Sequence, residues 1–149
     1  MSIPSLFLTQ QARRAANCEQ AFMTPHRIGF LYWPGTKALT LSLAEEALRV
    51  AQRVHPEVVY ELVFLQAEPL AAGDWRLPGE PWAGHMDGLD KLFLLADVPP
   101  AQVSAGLAAA LKQQVRSGCV IGGLSAGVYP LAQLGLLDGY RAAVHWRWQ

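Results

Sequence analysis

The sequence predicts an α/β fold with a mostly parallel sheet and helices on both faces. Three observations favour this fold. Short, continuously apolar runs suited to buried strands alternate with segments of helical periodicity. Proline and glycine mark most of the boundaries between these segments. The length of 149 residues fits one domain with a substantial core.

The composition excludes several classes of protein. Hydrophobic residues make up 52% of the chain, which is too apolar for a disordered protein. Lys and Arg (12) balance Asp and Glu (12), whereas a segment that binds nucleic acid by itself usually carries a basic excess. Two cysteines without a secretion signal indicate reduced thiols and a cytoplasmic location. No apolar run is long enough for a membrane helix, so no membrane partner is expected.

Order is expected to begin near residue 27. Residues 1–26 are interpreted as an N-terminal extension, either disordered or a loosely docked helix, and residues 27–149 as the single domain. Residues 28–33 form an apolar, aromatic run that predicts the first strand, closed by Pro34 and Gly35.

A helix is predicted over residues 39–54 from the spacing of its apolar side chains, with an earlier start near Thr36 as the alternative. Ser42 and Glu45 fit a capping box near its start, and Pro56 ends it. The side chains expected to face the core are Leu43, Ala47, Val50, Ala51 and Val54.

Continuous apolar runs predict further strands at residues 60–66 and 91–96, as in a sheet covered on both faces. Residues 67–90 between them hold four glycines and three prolines, which predicts a loop or a small hairpin. A second helix is expected to open at Pro99 and end before Gly118. Its buried stripe is expected to contain Val103, Leu107, Leu111 and Val115.

The last third of the chain holds a candidate for chemistry. A strand is predicted at residues 119–122 and a short helix from Ser125 to Leu134, with an extended segment over residues 140–149. The turn between the strand and the helix reads Gly-Leu-Ser-Ala-Gly over residues 123–127, which matches the G-x-S-x-G nucleophile elbow. Such a turn exposes the serine side chain at the carboxyl edge of a parallel sheet.

One interpretation of the elbow is a serine hydrolase. Asp138 and His145 follow Ser125 in the chain order of an α/β-hydrolase triad. However, both lie very close to the elbow in sequence, and 149 residues supply too few strands for that fold. The sequence thus keeps hydrolysis by Ser125 and His145 as an alternative.

The residues around the elbow resemble a longer signature. Residues 121–146, with Gly-Leu-Leu-Asp-Gly at 135–139 and His145-Trp146, are similar to the class I glutamine amidotransferase-like (GATase1-like) domain of AraC-type transcriptional regulators. That domain stands at the N-terminus of the regulators and belongs to an intracellular-protease-like superfamily. The first strand with its Pro-Gly turn and Glu-Ala-Leu-Arg at 46–49 also match. The resemblance covers about residues 27–149.

The resemblance implies a flavodoxin-like three-layer sandwich that binds a small metabolite, associates as a homodimer and uses no cofactor. DNA would be contacted only through a C-terminal helix-turn-helix domain, which this chain does not contain. Regulators of this type respond to amino acids or to ammonium carboxylates such as betaines. Three departures from the catalytic relatives imply binding without turnover. Ser125 replaces the elbow cysteine, Ala126 replaces a histidine, and residues 96–99 lack a Gly-Gly pair.

The ligand-binding residues expected from this sequence are Glu46, Ser125, Ala126, Gly127, Tyr129, His145 and Trp33. The backbone N–H groups of Ala126 and Gly127 are expected to be free to hold a carboxylate. Glu46 would supply a negative pole, and an aromatic ring would face an ammonium group.

Structural roles compete with these functional ones. Glu46 would otherwise pair with Arg49 or Arg53, and Ser125 would only fill a turn. Trp75, Trp82 and the other tryptophans would pack in the core, and His145 would be a packed strand residue. Cys119 is expected to be buried and inert. The histidines share no spacing that suits a metal, so no metal site is expected.

Overall fold

The computed structural model describes residues 24–69, 77–144 and 146. Within these ranges the chain forms five strands and three helices. In chain order they are β1 (His26–Tyr32), α1 (Ala38–Val54), β2 (Tyr60–Gln66), β3 (Glu80–Pro81), β4 (Lys91–Ala96), α2 (Ala105–Arg116), β5 (Val120–Ser125) and α3 (Val128–Gln133). The prediction for the N-terminal extension falls almost entirely outside the described residues, and β1 begins at His26.

The five strands form one parallel sheet in the order β3-β2-β1-β4-β5. The chain starts in the middle, adds β2 and β3 on one side, and then crosses to β4 and β5 on the other. The connection from β1 to β2 through α1 and the connection from β4 to β5 through α2 run in opposite directions across the sheet. Because such connections are right-handed, the two helices lie on opposite faces. The predicted α/β class and the flavodoxin-like sandwich are therefore confirmed. The direction reverses between β1 and β4, which is the switch point where open α/β sheets bind ligands.

Two apolar clusters fill the layers on either side of the sheet. Alternate residues of β1 point to opposite faces because the side-chain period of a strand is two. Phe30 lies on the α1 side between Phe64 and Phe93, with ring centroids 5.8 Å away in each case. On the other side Leu31 belongs to the cluster that contains Leu107 of α2 and several residues of β4 and α3.

The predicted buried face of α1 is wrong. Leu43 is 63% exposed and Val54 66% exposed, whereas Leu41 is buried with Ala44 and Leu48 packed beside it. Ala47 is also exposed, Ala51 is half-buried and Val50 is 43% exposed. The helix carries two apolar stripes on opposite sides, and periodicity alone does not say which one meets the sheet.

The predicted capping box of α1 is also wrong, although the predicted start of the helix between Thr36 and Leu39 is confirmed. The helix begins at Ala38 after Lys37, and no side chain of its own first turn caps it. Ser42 and Glu45 lie inside the helix, so they form no capping box. A side chain from another loop supplies the cap, as the site description shows.

Other elements differ from the sequence prediction for local reasons. β3 pairs in parallel with β2, so residues 67–90 do not form a hairpin within the described residues. α2 begins at Ala105, because the Ser104 hydroxyl accepts a 3.4 Å hydrogen bond from the Leu107 N–H and sets the start. Gln114 is buried in place of Val115, which is 42% exposed.

The strand that leads to the elbow is longer than predicted. β5 extends through Ser125, and residues 140–144 have no regular secondary structure. The rest of the predicted extended segment lies outside the described residues apart from Trp146. No helix in the described ranges is long and apolar enough to cross a membrane.

Candidate functional site

The turn after β5 has the strained geometry of a nucleophile elbow. Ser125 has φ 54° and is the one non-glycine residue with positive φ among those the structure describes. A Cβ on Gly127 would overlap the Leu94 carbonyl, and a Cβ on Gly123 would lie 2.6 Å from the Val128 backbone. The two glycines are therefore required for the turn, and the predicted sharp, serine-exposing turn is present.

The expectation that the elbow amides are free is wrong. The Ala126 N–H donates to the Ala96 carbonyl at 2.8 Å, and the Gly127 N–H donates to the Leu124 carbonyl at 2.9 Å. The first bond continues the β4–β5 pairing past the end of the strand, and the second closes the turn. Neither amide can hold a carboxylate without giving up a bond within the fold.

The N-terminus of α1 is occupied by a carboxylate from the protein itself. Asp97, the residue after β4, accepts hydrogen bonds from the Lys37 backbone N–H and, at 3.0 Å, from the Thr40 hydroxyl. Partial positive charge at a helix N-terminus favours such an anion. Asp97 joins the loops on the two sides of the switch point and fills the position where an anionic ligand would otherwise lie.

Sequence reasoning missed the role of Asp97. In the sequence, the missing Gly-Gly pair at residues 96–99 implies only binding without turnover. An aspartate directly after a central parallel strand lies near the first helix N-terminus when the switch point falls beside that strand. The position of Asp97 directly after a central strand is therefore the feature of the sequence that could have indicated its role.

Glu46 lies away from this edge. It forms a salt bridge with Arg53 at 2.6 Å, which is one of the structural alternatives considered for it. Its position eight residues beyond Ala38 puts it about 12 Å along the helix from the carboxyl edge of the sheet. The structure does not bring Glu46 together with Trp33 or Ser125.

Trp33 holds an unsatisfied polar group at the switch point. It follows β1, is only 4% exposed, and its backbone N–H donates to the Leu95 carbonyl at 3.3 Å. Its indole Nε1–H is buried and has no acceptor among the described residues. A buried donor without a partner costs about 1–3 kcal/mol, so this group is a candidate for pairing with a ligand.

A cleft of about 410 Å³ opens beside Trp33, outside the carboxyl ends of β1, β2 and β4. Its volume falls within the usual range for small-molecule sites, roughly 300–1,000 Å³. The remaining lining residues are mostly apolar, with one carboxylate and one amide: Pro34, Glu68, Val98, Pro99, Pro100, Ala101 and Gln102. We call residues 98–102 the cleft segment. The Gln133 side-chain amide donates to the Pro100 carbonyl at 3.3 Å and ties this segment to α3.

The other predicted site residues are more dispersed. Tyr129 and Trp82 are half-buried against the core, which agrees with a packing role for Trp82. His145 and Trp75 lie outside the described residues. Of the described residues predicted to bind ligand, only Trp33 lines the cleft, while Ser125 and its neighbours form the adjacent elbow.

Cys119 is an unreactive thiol in this structure. It is buried, and burial together with the negative charge of Asp90 raises its pKa to about 11. The thiolate is the reactive form of cysteine, so this side chain is a poor nucleophile near neutral pH. No group of three or more His, Cys, Asp or Glu side chains within the described ranges is placed to hold a metal ion.

Comparison with known proteins gives several relatives, although no family model matches the chain. The chain is 66% identical over 125 residues to the HTH-type transcriptional regulator ArgR of Pseudomonas aeruginosa, a match that covers 83% of this chain and 38% of that protein. It is 34% identical over 121 residues to the HTH-type transcriptional regulator CdhR of the same species, covering 78% and 36%. The chain thus spans well under half the length of these two regulators.

Solved structures support the same fold. The crystal structure of an AraC family transcriptional regulator from Pseudomonas putida superposes with a TM-score of 0.70 at 20% identity, over 84% of this chain and 69% of that one. A crystal structure of a transcriptional regulator protein from Vibrio parahaemolyticus gives a TM-score of 0.64 at 18% identity, over 77% of this chain and 64% of that one.

Proposed function

Starting from its similarity to HTH-type transcriptional regulators, we propose that this chain is the effector-binding domain of an AraC-type bacterial regulator. It acts in the cytoplasm as a homodimer, and a DNA-binding domain outside this chain reads its state. It binds a small metabolite without converting it. The observation that carries the binding role is the cleft at the switch point, whose wall holds the unpaired indole N–H of Trp33.

The chemistry of the cleft favours an amino acid or another ammonium carboxylate. Glu68 supplies a negative charge for the ammonium pole, a role first assigned to Glu46. The indole N–H of Trp33 and the side-chain amide of Gln102 supply donors for the carboxylate pole. The prolines and Val98 offer apolar contact for the carbon skeleton.

Ligand binding is coupled to movement of the cleft segment. The Trp33 Nε1 atom is buried before the ligand arrives, so a carboxylate reaches it only if neighbouring residues shift. Asp97 precedes the cleft segment and holds the N-terminus of α1, so the shift reaches that helix. A ligand changes such an equilibrium only by its different affinity for the two states, and the Trp33 contact supplies that difference.

Charge removal at Glu68 tests the location of the site. Glu68→Gln keeps the shape of the side chain and is expected to weaken binding of an amino acid or glycine betaine roughly tenfold or more in a calorimetric titration, a loss of about 1.4 kcal/mol. Glu80→Gln, at an exposed glutamate on β3, is the matched control and leaves affinity unchanged. Equal effects of the two substitutions would place the ligand elsewhere.

A serine hydrolase remains the second candidate because Ser125 is exposed on a strained turn. An activated serine needs an aligned base. His145, the proposed base, lies outside the described residues. Intact mass after treatment with a fluorophosphonate distinguishes the candidates: binding without turnover predicts no adduct, and a serine adduct that disappears in His145→Ala supports the enzyme.

A further inference from the structure

A second pocket lies between α2 and the loop that follows β3, and we call it the α2 pocket. Its volume is about 160 Å³. The side chains that shape it are, from the loop, Trp82, Met86 and Asp87 and, from α2, Ala110, Gln113 and Gln114. None of these residues lines the cleft at the switch point, so the two pockets are separate.

Gln114 is the buried polar group of the α2 pocket. It lies in the last turn of α2 on the side that packs on the sheet, and it is only 8% exposed. Its backbone carbonyl accepts hydrogen bonds from the Cys119 N–H at 3.0 Å and from the Ser117 hydroxyl at 2.9 Å. Its side-chain amide has no hydrogen-bond partner within the described residues. Because an unpaired buried amide is destabilising, this group is a candidate for pairing with a ligand.

The other groups around the α2 pocket favour a cation. Asp87 contributes an exposed carboxylate whose oxygens have no hydrogen bond within the described residues. The last turn of α2 carries the partial negative charge of a helix C-terminus. The indole ring of Trp82 offers a face for a cation, and the side-chain oxygen of Gln114 accepts hydrogen bonds from it.

Two arginines lie close to the pocket, and their charges are used differently. Arg27 donates to the Asp87 backbone carbonyl at 2.6 Å and to the Glu61 carboxylate at 3.0 Å, so a neighbouring anion compensates its charge. Arg116 donates to the side-chain oxygen of Gln113 at 2.9 and 3.2 Å, which is a neutral partner. The positive charge of Arg116 therefore opposes a cation in the pocket.

We propose that the α2 pocket binds a small organic ammonium ion. The ammonium group is held by the Asp87 carboxylate, the side-chain oxygen of Gln114 and the ring of Trp82. The volume lies below the range of roughly 300–1,000 Å³ that is usual for small-molecule sites, so the pocket suits a short alkylammonium ion. This site goes beyond the proposed function, in which Glu68 holds the ammonium pole of the effector in the cleft.

Titration with propylammonium chloride tests the site by nitrogen–proton correlation NMR of the whole chain. The signals followed are the Trp82 indole N–H, assigned with Trp82→Phe, and the Gln114 side-chain amide. Both are expected to shift and saturate, with a dissociation constant on the order of 1 mM or above for so small a ligand. Sodium chloride at equal ionic strength and the uncharged analogue 1-propanol are the controls. No saturable shift with propylammonium, or an equal shift with 1-propanol, would overturn the proposal.

Charge substitutions test the sign of the preferred ligand. Asp87→Asn is expected to weaken propylammonium binding about tenfold, because it removes a charged hydrogen-bond acceptor. Asp138→Asn is the matched control at another exposed loop aspartate, and it leaves the affinity unchanged. Arg116→Gln removes the opposing charge and is expected to strengthen binding. Weaker binding in Arg116→Gln, or equal affinities of the two asparagine variants, would contradict a cation site.

Gln114→Leu tests the buried amide. The leucine variant is expected to lose propylammonium binding. Its Tm is expected to be no lower than that of the wild type, because the substitution removes a buried polar group that has no partner. Full binding by Gln114→Leu would overturn the assigned role of the amide.

Glu68→Gln separates this site from the cleft. The Trp82 and Gln114 signals are expected to respond to propylammonium in this variant as they do in the wild type. A loss of the response would place the ammonium ion in the cleft and overturn the second site. Because the readout is local to the α2 pocket, its outcome is independent of whether the cleft binds an effector.

Discussion

Ser125 adopts a left-handed backbone conformation that costs most side chains about 1–2 kcal/mol. Glycine adopts it without that cost, whereas at ordinary positions in helices or strands glycine is less stable than alanine by about 0.5–1 kcal/mol. Ser125→Gly is therefore expected to be more stable than Ser125→Ala by about 1 kcal/mol in urea unfolding. The difference isolates the backbone, since both variants lose the hydroxyl. Greater stability of the alanine variant would show that the turn is relaxed.

Cys119 gives the protein a predictable dependence on alkaline pH. Burial raises the pKa of its thiol from an ordinary 9.0 to about 11, so the folded protein holds this proton more tightly than the unfolded chain. The stability linked to this proton is complete below about pH 9.0 and declines as the pH approaches about 11.

Chemical unfolding of wild type and Cys119→Ala across this range provides the check. The wild type is expected to lose stability more steeply, because the variant lacks the Cys119 thiol. Burial also raises the pKa of Tyr32, and comparing the two proteins cancels that contribution. If the stabilities of the two proteins changed with pH in parallel, a raised pKa of the Cys119 thiol would be contradicted.

At the residue scale, the sequence indicated where chemistry is concentrated but not which atoms are available. The G-x-S-x-G pattern predicted the turn at Ser125 because glycines are required on both sides of it. It did not predict that Ala126 and Gly127 use their amides within the fold. Those partners come from the register of β4 and β5, which is a long-range pairing.

At the scale of single elements, α1 depends on a cap from a distant loop. Asp97→Ala removes both hydrogen bonds at the helix N-terminus and is expected to lower the free energy of unfolding by about 1–2 kcal/mol. Asp87→Ala is the control, since Asp87 is an exposed loop aspartate whose side chain has no hydrogen bond within the described residues. Equal unfolding midpoints in urea for the two variants would contradict the capping role.

The sequence predicted the ranges of the strands well but did not predict which face of each helix is buried. The predicted ranges 60–66 and 91–96 match β2 and β4, because continuous apolar runs permit few alternatives to a buried strand. α1 has two apolar stripes, so helical spacing predicted Leu43 as buried where Leu41 is. The choice between stripes depends on the rotation of α1 about its axis, which is set where the helix starts and where Asp97 holds Lys37 and Thr40.

At the scale of the whole molecule, strand order determines where a ligand can bind. The switch point between β1 and β4 brings together Trp33, Asp97 and the cleft segment, which are far apart in the sequence. The alternation of strands and helices predicted the sheet but not this order. The cleft could be located only once the parallel register was known.

The central claim is that this chain binds a small ammonium carboxylate, and a thermal-shift screen tests it most directly. The panel contains free amino acids, glycine betaine, carnitine, polyamines and simple carboxylates. A ligand at about 100 times its dissociation constant adds about 2.7 kcal/mol of stability, which is a rise in Tm of roughly 5–10 °C at this chain length. The account predicts such a rise for one class that carries both an ammonium and a carboxylate group. A folded protein with an unchanged Tm across the panel, or a rise only with compounds that lack one of the two charges, would contradict it.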